Sequence, residues 1–525
     1  MSALANERGR GVHAALFFLI LALGLALRFW ELDKRSLWHD EGHSLAFVRL
    51  PAREMTRALA FDDHPPLYYW ALRAWMAAGE GVGWGRLFSA LCSFATLPVA
   101  YALARGLAGR GAALGAMALL AVSPQAVYYG QELRMYALQS LFTTAMMALG
   151  LAALRRPSAA RIGSTIVFGV LACYTHYFSA LFLLGFLAVL PWAGREGEPD
   201  AGRGAVRAAL GAVLAAALYL PWLPTAMSHV LVNSLRGLKA AAPAPSPDVA
   251  FLERALETSL GFVPAFPFDS WVLASPGALS QVRHWTAMVF SGALLAFFLL
   301  GLLRLRCEPR AKAFLAAFLV IPWLLAAAFQ ACGGRFYPRF VVPMLPLGFA
   351  CAAAGIGAFA QRWRRWGAAA AVAMGAVMLA STTAMLGSDI RDVSRDMAAE
   401  LARLRAEFRG RPAGGAPVLH AQAHSFWTLM GYDPTPGRHR FLAGPQTPAL
   451  ARLMYGRAVQ IRPAELAHYD ELWVAYSEWG PGPPQLRRRI EPLWFGEGWR
   501  VDLSVAAARY NKRMQLVLYS RIQRK

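Results

Sequence analysis

Five short stretches of this sequence carry polar side chains whose types and spacing apolar packing does not require. In "SLWHDEGHSLAFV", residues 36 to 48, Asp40 and Glu41 stand between His39 and His43. A carboxylate can take a proton from an attacking hydroxyl or amine, which is general-base chemistry. One such acid also reads as an ordinary solvated loop residue; two acids flanked by histidines fit that reading less well. In "FDDHPPLYYW", residues 61 to 70, Pro65 and Pro66 push the residues before them out of helical geometry and hold Asp63 and His64 on a stiff turn, with Tyr68 just beyond. Helix capping by Asp62 or Asp63 is the alternative there, and it leaves His64 without a role. "YYGQELRMYAL", residues 128 to 138, brings Gln131, Glu132, Arg134 and Tyr136 into one short connection, where Glu132 and Arg134 either neutralise each other or line a polar pocket. "GGRFYPRFVVPMLP", residues 333 to 346, contributes Arg335 and Arg339, and "YTHYF", residues 174 to 178, contributes His176. Guanidinium groups make bidentate, charge-assisted hydrogen bonds to phosphate oxygens; snorkelling towards lipid head groups is the competing use for an arginine at the end of an apolar run.

The elements that must hold these residues follow from composition. Of 525 residues, 57% are hydrophobic and 16% charged, with a mean hydropathy of +0.37. A soluble domain cannot hide that much apolar surface, and the apolar residues fall in blocks near the ~20 residues that cross a ~30 Å hydrocarbon core. Eleven blocks lie near 12 to 30, 84 to 104, 111 to 127, 135 to 154, 162 to 175, 177 to 193, 206 to 223, 285 to 303, 313 to 330, 340 to 360 and 367 to 387. Between them sit basic spacers such as Arg105 with Arg110, Arg155 with Arg156 and Arg161, and Arg362 with Arg364 and Arg365. Counted by parity the spacers share one side, which the positive-inside bias makes cytoplasmic. The net charge of +22 is then topogenic, and no nucleic acid partner is implied.

All five chemistry-bearing stretches fall on the opposite, outer side. This holds when the block between Arg161 and Arg195 is two short spans hinged at "YTHYF"; a single span would invert everything downstream. Residues 66 to 78, aromatic and carrying Arg73, suit an interfacial helix. The first run, preceded by Arg8 and Arg10 and followed by Arg28, Glu31 and Asp33, reads as an uncleaved span rather than a cleaved signal. Cys92, Cys173, Cys307, Cys332 and Cys351 show no paired or metal-type spacing, so no disulfide framework is implied.

From residue 388 charge rises and apolar runs shorten. Residues 394 to 408 have helical spacing, while 417 to 421, 471 to 476, 500 to 506 and 515 to 520 read as strands. The expected architecture is a polytopic α-helical membrane protein of about eleven or more spans over residues 1 to 387, with outward loops at 31 to 83 and 224 to 284, followed by a C-terminal extracytoplasmic α/β domain over 388 to 525.

Taken in order, "WHDEGH", "HPPLYYW", "GQELRMYAL", "THYF" and "RFYPRFVVPMLP" resemble the GT-C glycosyltransferases of the protein O-mannosyltransferase and aminoarabinose transferase type, over roughly residues 10 to 360. The resemblance implies an inverting transfer of a sugar from a polyprenyl-phosphate carrier to a lipid, glycan or protein acceptor, at the outer face of the bacterial cytoplasmic membrane. It assigns Asp40 as the base and Glu41 as the second acid of the pair. His64 falls at the start of the HPP segment, and Glu132 and Arg134 match the polar pair after the third span. Asp63, Tyr68, Gln131, Tyr136, His176, Arg335 and Arg339 join them as substrate-contacting candidates. The family is divided on metal use; a divalent cation held by Asp40, Asp63, His64 or Glu132 is compatible with such oxygen and nitrogen ligands. The soluble tail carries no motif of this family.

A transporter or flippase of a lipid-linked or polar substrate is the rival reading. Transporters place charges near the bilayer midplane and often show paired repeats; here the acids cluster at outer span ends and no repeat is evident. A membrane-anchored scaffold leaves those acids unexplained.

Overall fold

The computed structural model describes residues 2 to 192, 201 to 229, 278 to 305, 309 to 331 and 338 to 387, and in the C-terminal part 394 to 407, 415 to 421, 423 to 435, 437 to 442, 451, 454, 460 to 461, 463 to 477, 499 to 509 and 512 to 521. Contacts divide the chain into two compact units. The first comprises Met1–Trp30, Asp63–Tyr68 and Arg86–Gly387; the second comprises Glu31–Asp62, Tyr69–Gly85 and Ser388–Lys525. Most of the first outward loop, read from the sequence as part of the membrane module, therefore packs with the C-terminal domain.

In the first unit, every apolar block of the sequence is helical, as in Ser2–Phe29, Tyr136–Arg155, Leu345–Arg362 and Arg364–Gly387. By length and composition, five helices among the described residues can cross a membrane, or six if the pair Gly204–Tyr219 and Leu223–His229, bent by 88°, counts as one span. Shorter apolar helices cover Ala159–Thr175, Ser179–Trp192, Gly292–Leu305 and Lys312–Ala328. Apolar side chains such as Phe18, Val213, Val289 and Val372 are exposed, as lipid-facing residues are. The 40-residue helix Val82–Ala121 breaks at Gly109, whose φ of 84° and ψ of −177° lie where only glycine is comfortable. The break falls between Arg105 and Arg110, where the sequence separates two spans.

Two buried side chains lock the start of this unit by closing helix ends, whose last carbonyls have no partner within the helix. Arg28 on the first helix donates to Leu120 O (3.0 Å) and Ala121 O (2.9 Å) at the end of Val82–Ala121, and also to Gly24 O (3.2 Å) and Ser93 Oγ (2.8 Å). In return, the Gln131 amide donates to Leu27 O, Arg28 O and Trp30 O at 2.9 to 3.4 Å, where the first helix ends.

The second unit is built on a six-stranded sheet: β1 Val418–His420, β2 His439–Leu442, β3 Gln460–Ile461, β4 Glu471–Ser477, β5 Trp499–Arg509 and β6 Lys512–Arg521, in the order β3-β2-β1-β4-β6-β5. The strands β1 to β4 run parallel, and β6 pairs antiparallel with both β4 and β5. Alternate residues of β4 point to opposite faces. Trp473 and Ala475 pack with Leu516, Leu518 and the helix Ser394–Glu407 through Met397, Leu401 and Leu404, while Leu472, Val474 and Tyr476 pack with Val517, Tyr519 and Ile461.

Two helices from the first loop, His39–Arg49 and Ala52–Leu59, belong here, as does Leu67–Met76 from Tyr69 onward. Arg73 donates to Val48 O at 2.7 Å and to Leu50 O, closing the end of His39–Arg49.

Candidate active site

The first unit contains a buried cluster of cationic, imidazole and aromatic groups. The helix Pro124–Gly130 starts on Ser123, whose hydroxyl accepts from Ala126 N. The turn after it buries Gln131, Glu132 and Arg134 almost completely. Arg134 Nη2 lies 3.0 Å from His64 Nε2. A guanidinium has no acceptor, so Nε2 of His64 is the accepting nitrogen. Behind His64, Pro65 and Pro66 are buried, and Tyr68 is fully buried against Phe88.

His176 closes the hinge between Ala159–Thr175 and Ser179–Val189. Its ring lies 6.2 Å from His64, 5.9 Å from Tyr136 and 4.7 Å from Phe340. The Phe178 amide donates to Nδ1 at 3.3 Å, which leaves Nε2 as the donor of the neutral ring. Burial, then the charges of His64, Arg134 and Arg339, hold its pKa well below the ordinary histidine value. Arg339, on the turn Pro338–Met344, places its guanidinium 6.0 Å from the Tyr136 ring centroid. Tyr129 stacks edge-on to Tyr136 at 5.1 Å. Burial and the neighbouring Glu132 raise its pKa well above the usual phenol. Deeper along Tyr136–Arg155, Gln139 donates to Ser179 Oγ at 3.1 Å.

In the second unit, Asp40 and Glu41 occupy the first turn of His39–Arg49, where negative charge favours the positive end of the helix dipole. Glu41 is fully buried and accepts from Trp38 N at 3.4 Å, a capping role. Asp40 is half-buried. One turn on, His43 stacks parallel to His39 and lies 3.8 Å from Asp62.

The structure thus brings His64, Glu132, Arg134, Tyr136, His176 and Arg339 into one neighbourhood of the first unit and adds Tyr129 and Phe340, which the sequence reading passed over. It gives Gln131 a different occupation: its amide is committed to backbone carbonyls of the first helix, a cap formed across about 100 residues of chain. Tyr68 is a packing residue as well as a neighbour of the HPP turn, and Asp63 is exposed. Arg335 lies outside the described residues. As for a divalent cation, among the described residues no three His, Cys, Asp or Glu side chains form a group that could hold one, and His64 already uses Nε2 on Arg134; the candidate ligands do not fit a ready metal site.

Residues 63–224 match the dolichyl-phosphate-mannose-protein mannosyltransferase family. The solved structure of ArnT from Cupriavidus metallidurans in the apo state superposes with a TM-score of 0.59 at 15% identity, over 95% of this chain and 97% of that one. The two chains share their fold over nearly their whole lengths. The same ArnT bound to undecaprenyl phosphate gives 0.55 at 16% identity, over 96% and 98% of the two chains. The archaeal oligosaccharyltransferase AglB from Archaeoglobus fulgidus, in complex with an inhibitory peptide and a dolichol-phosphate, gives 0.51 at 12% identity over 89% and 69%. No curated protein matches the chain by sequence. Glycosyl transfer is the activity the family match names, and the match covers His64, Glu132, Arg134, Tyr136 and His176, but neither Asp40 nor Arg339.

Proposed function

We propose that the chain transfers a sugar from a polyprenyl-phosphate carrier to a lipid, glycan or protein acceptor at the outer face of the cytoplasmic membrane, with inversion at the anomeric carbon. The observation that carries this is the cluster of the first unit: two guanidinium groups, Arg134 and Arg339, set among Tyr129, Tyr136, His64 and a neutral His176, with Glu132 as its buried carboxylate. Arg134 is buried and Arg339 half-buried against the single carboxylate of Glu132, so one positive charge of the pair is left over, and an anion sharing the cluster offsets it. A lipid-borne phosphate is an anion of this kind, and one of the ArnT structures similar to this chain is bound to undecaprenyl phosphate.

In the proposed reaction an acceptor hydroxyl or amine attacks the anomeric carbon. The bond from that carbon to the phosphate oxygen breaks, and polyprenyl phosphate leaves with the electron pair. Arg134 and Arg339 stabilise the charge that grows on the leaving phosphate. Asp40 takes the acceptor's proton. Glu41, already capping its helix, serves by fixing the backbone beside Asp40 rather than as a second proton acceptor. His176, neutral and donating through Nε2, offers a hydrogen bond without adding charge.

The test is transfer of label from a radiolabelled polyprenyl-phosphate sugar by the purified full-length chain, with Asp40→Asn alongside. Wild-type transfer with a loss of two or more orders of magnitude in the variant is expected; equal transfer by both proteins removes Asp40 as the base.

A further inference from the structure

The helix that carries Asp40 is not a free loop element. It lies face to face with the helix Ala423–Tyr432 of the C-terminal domain, within the second unit. Gly42 marks the closest approach: a methyl group there would overlap the backbone carbonyl of Trp427. His43 meets the Trp427 ring edge-on at 4.8 Å, and Ala46 packs with Phe426, Trp427 and Met430. Both ends are tied. Leu37 N donates to the Tyr432 hydroxyl at 2.6 Å, and Arg49 donates to Met430 O at 2.8 Å and Gly431 O at 3.0 Å, the closing carbonyls of the partner helix.

The partner helix is itself clamped. Ser425, in its first turn, lies 3.0 Å from His420 Nδ1 on β1; His420 Nε2 lies 2.9 Å from His439 Nδ1 on β2; and His439 Nε2 lies 3.8 Å from Asp433, the residue after the helix. Burial would raise the Asp433 pKa, but the nearby His439 ring and hydrogen bonds from Thr435 and Arg438 outweigh it and hold the carboxyl ionised, below the usual range. The contact of His439 with Asp433 is electrostatic, while the two shorter contacts join Ser425, His420 and His439 by hydrogen bonds, and the Ser425 hydroxyl also reaches Ala475 O on β4 at 3.5 Å. The helix is thus pinned at its first turn and just past its last to two adjacent strands of the sheet.

We propose that Ala423–Tyr432 is the positioning element of the transfer reaction, with Gly42, Arg49 and Trp427 as positioning residues that fix the direction of the Asp40 helix. The inference rests on the reading of Asp40 as base, and it gives the C-terminal domain a part in catalysis rather than a covering role. A contact through backbone carbonyls and one glycine fixes translation and rotation of the helix together, which side-chain packing alone does less sharply.

Full-length Arg49→Ala, Arg49→Lys, Trp427→Ala and Trp427→Phe proteins test it, by hydrogen exchange of residues 39 to 49 against strands β4 and β6, and by initial rates with the radiolabelled donor. The expected result for both alanine variants is faster exchange in 39 to 49 with unchanged exchange in the strands, and at least a tenfold fall in kcat with KM for the donor within threefold. Arg49→Lys and Trp427→Phe should recover most of the rate. Unchanged protection of 39 to 49, or full kcat once that segment is released, overturns the proposal. An equal loss of protection in the strands also counts against it, since the element would then be a part of the core and not a positioner. An active Asp40→Asn sinks the base assignment instead, while the exchange and kcat pattern of the Arg49 and Trp427 variants still decides the positioning role.

Discussion

Replacing Arg134 with glutamine removes one of the two cations from the buried cluster while keeping a hydrogen-bond donor of similar reach. Arg134 hydrogen-bonds His64 at 3.0 Å, and losing that contact costs folding about 1 to 3 kcal/mol, the range of a perturbed buried hydrogen bond. The effect on the reaction is larger. A preorganised donor aimed at developing negative charge contributes about 3 to 4 kcal/mol, and glutamine retains part of it. A loss of about 2 to 4 kcal/mol corresponds to a rate roughly 30- to 900-fold lower at ~1.4 kcal/mol per decade. The assay is label transfer from the polyprenyl-phosphate sugar, with undecaprenyl phosphate binding measured in parallel. A second signature follows from electrostatics. Arg134 helps to depress the His176 pKa, so its removal lets that pKa rise, and any acid limb of the rate that reports His176 moves to higher pH. The same change at exposed Arg403 should do neither. An Arg134→Gln protein that stays folded and keeps more than a third of the wild-type rate would refute the assignment of the cluster to the leaving phosphate.

Arg28→Met should cost at least about 3 kcal/mol of stability, because the Leu120 and Ala121 carbonyls and the Ser93 hydroxyl lose a buried donor together; a thermal unfolding midpoint equal to wild type would show the network to be dispensable. His420, held neutral by burial and by His439, has a pKa well below 6.5. The folded state therefore takes up fewer protons than the unfolded one, so stability is full above about pH 6.5 and falls as pH drops below it. His420→Asn should start less stable at neutral pH and lose less on acidification, read as exchange protection of β1 and β4 across a pH series; an equally steep acid loss would point to other groups. For topology, Arg403→Cys in intact cells should react with a membrane-impermeant maleimide and Trp363→Cys should not, since the basic spacer around Arg362 is expected on the cytoplasmic side; the reverse pattern inverts the map.

Composition made the apolar helices legible, and the break inside Val82–Ala121 falls where arginines separate two blocks, but against the eleven spans expected only five or six helices among the described residues are long and apolar enough to cross a membrane, the other blocks forming shorter or bent helices. Four strands of the C-terminal domain were readable for the same reason, since their apolar residues alternate or run together. The strands β2 and β3, with four and two residues, are too short to show a period, and their pairing to β1 is tertiary. The helix His39–Arg49 was hidden because its evidence lies far away: its apolar face is completed by Trp427 and Met430, and its tie through Arg49 spans 381 positions. Gln131 and Arg28 were opaque in the same way, each serving a helix end that is nowhere near it in sequence. By contrast Arg134, Arg339 and His176 stood out because charged or polar groups beside apolar runs need a specific reason to be there.

The interleaving of the two units has a consequence for biosynthesis. Residues 39 to 49 emerge early, yet the helix that covers them begins roughly 370 residues later. At the ~5 to 20 residues per second of a translating ribosome, the Asp40 segment waits roughly 20 to 75 seconds with the face of Gly42 and Ala46 uncovered. A nascent chain stalled before Ala423 therefore presents a sticky, unfinished surface to chaperones and proteases, and quality control can recognise an incomplete enzyme by the same residues that the finished one hides.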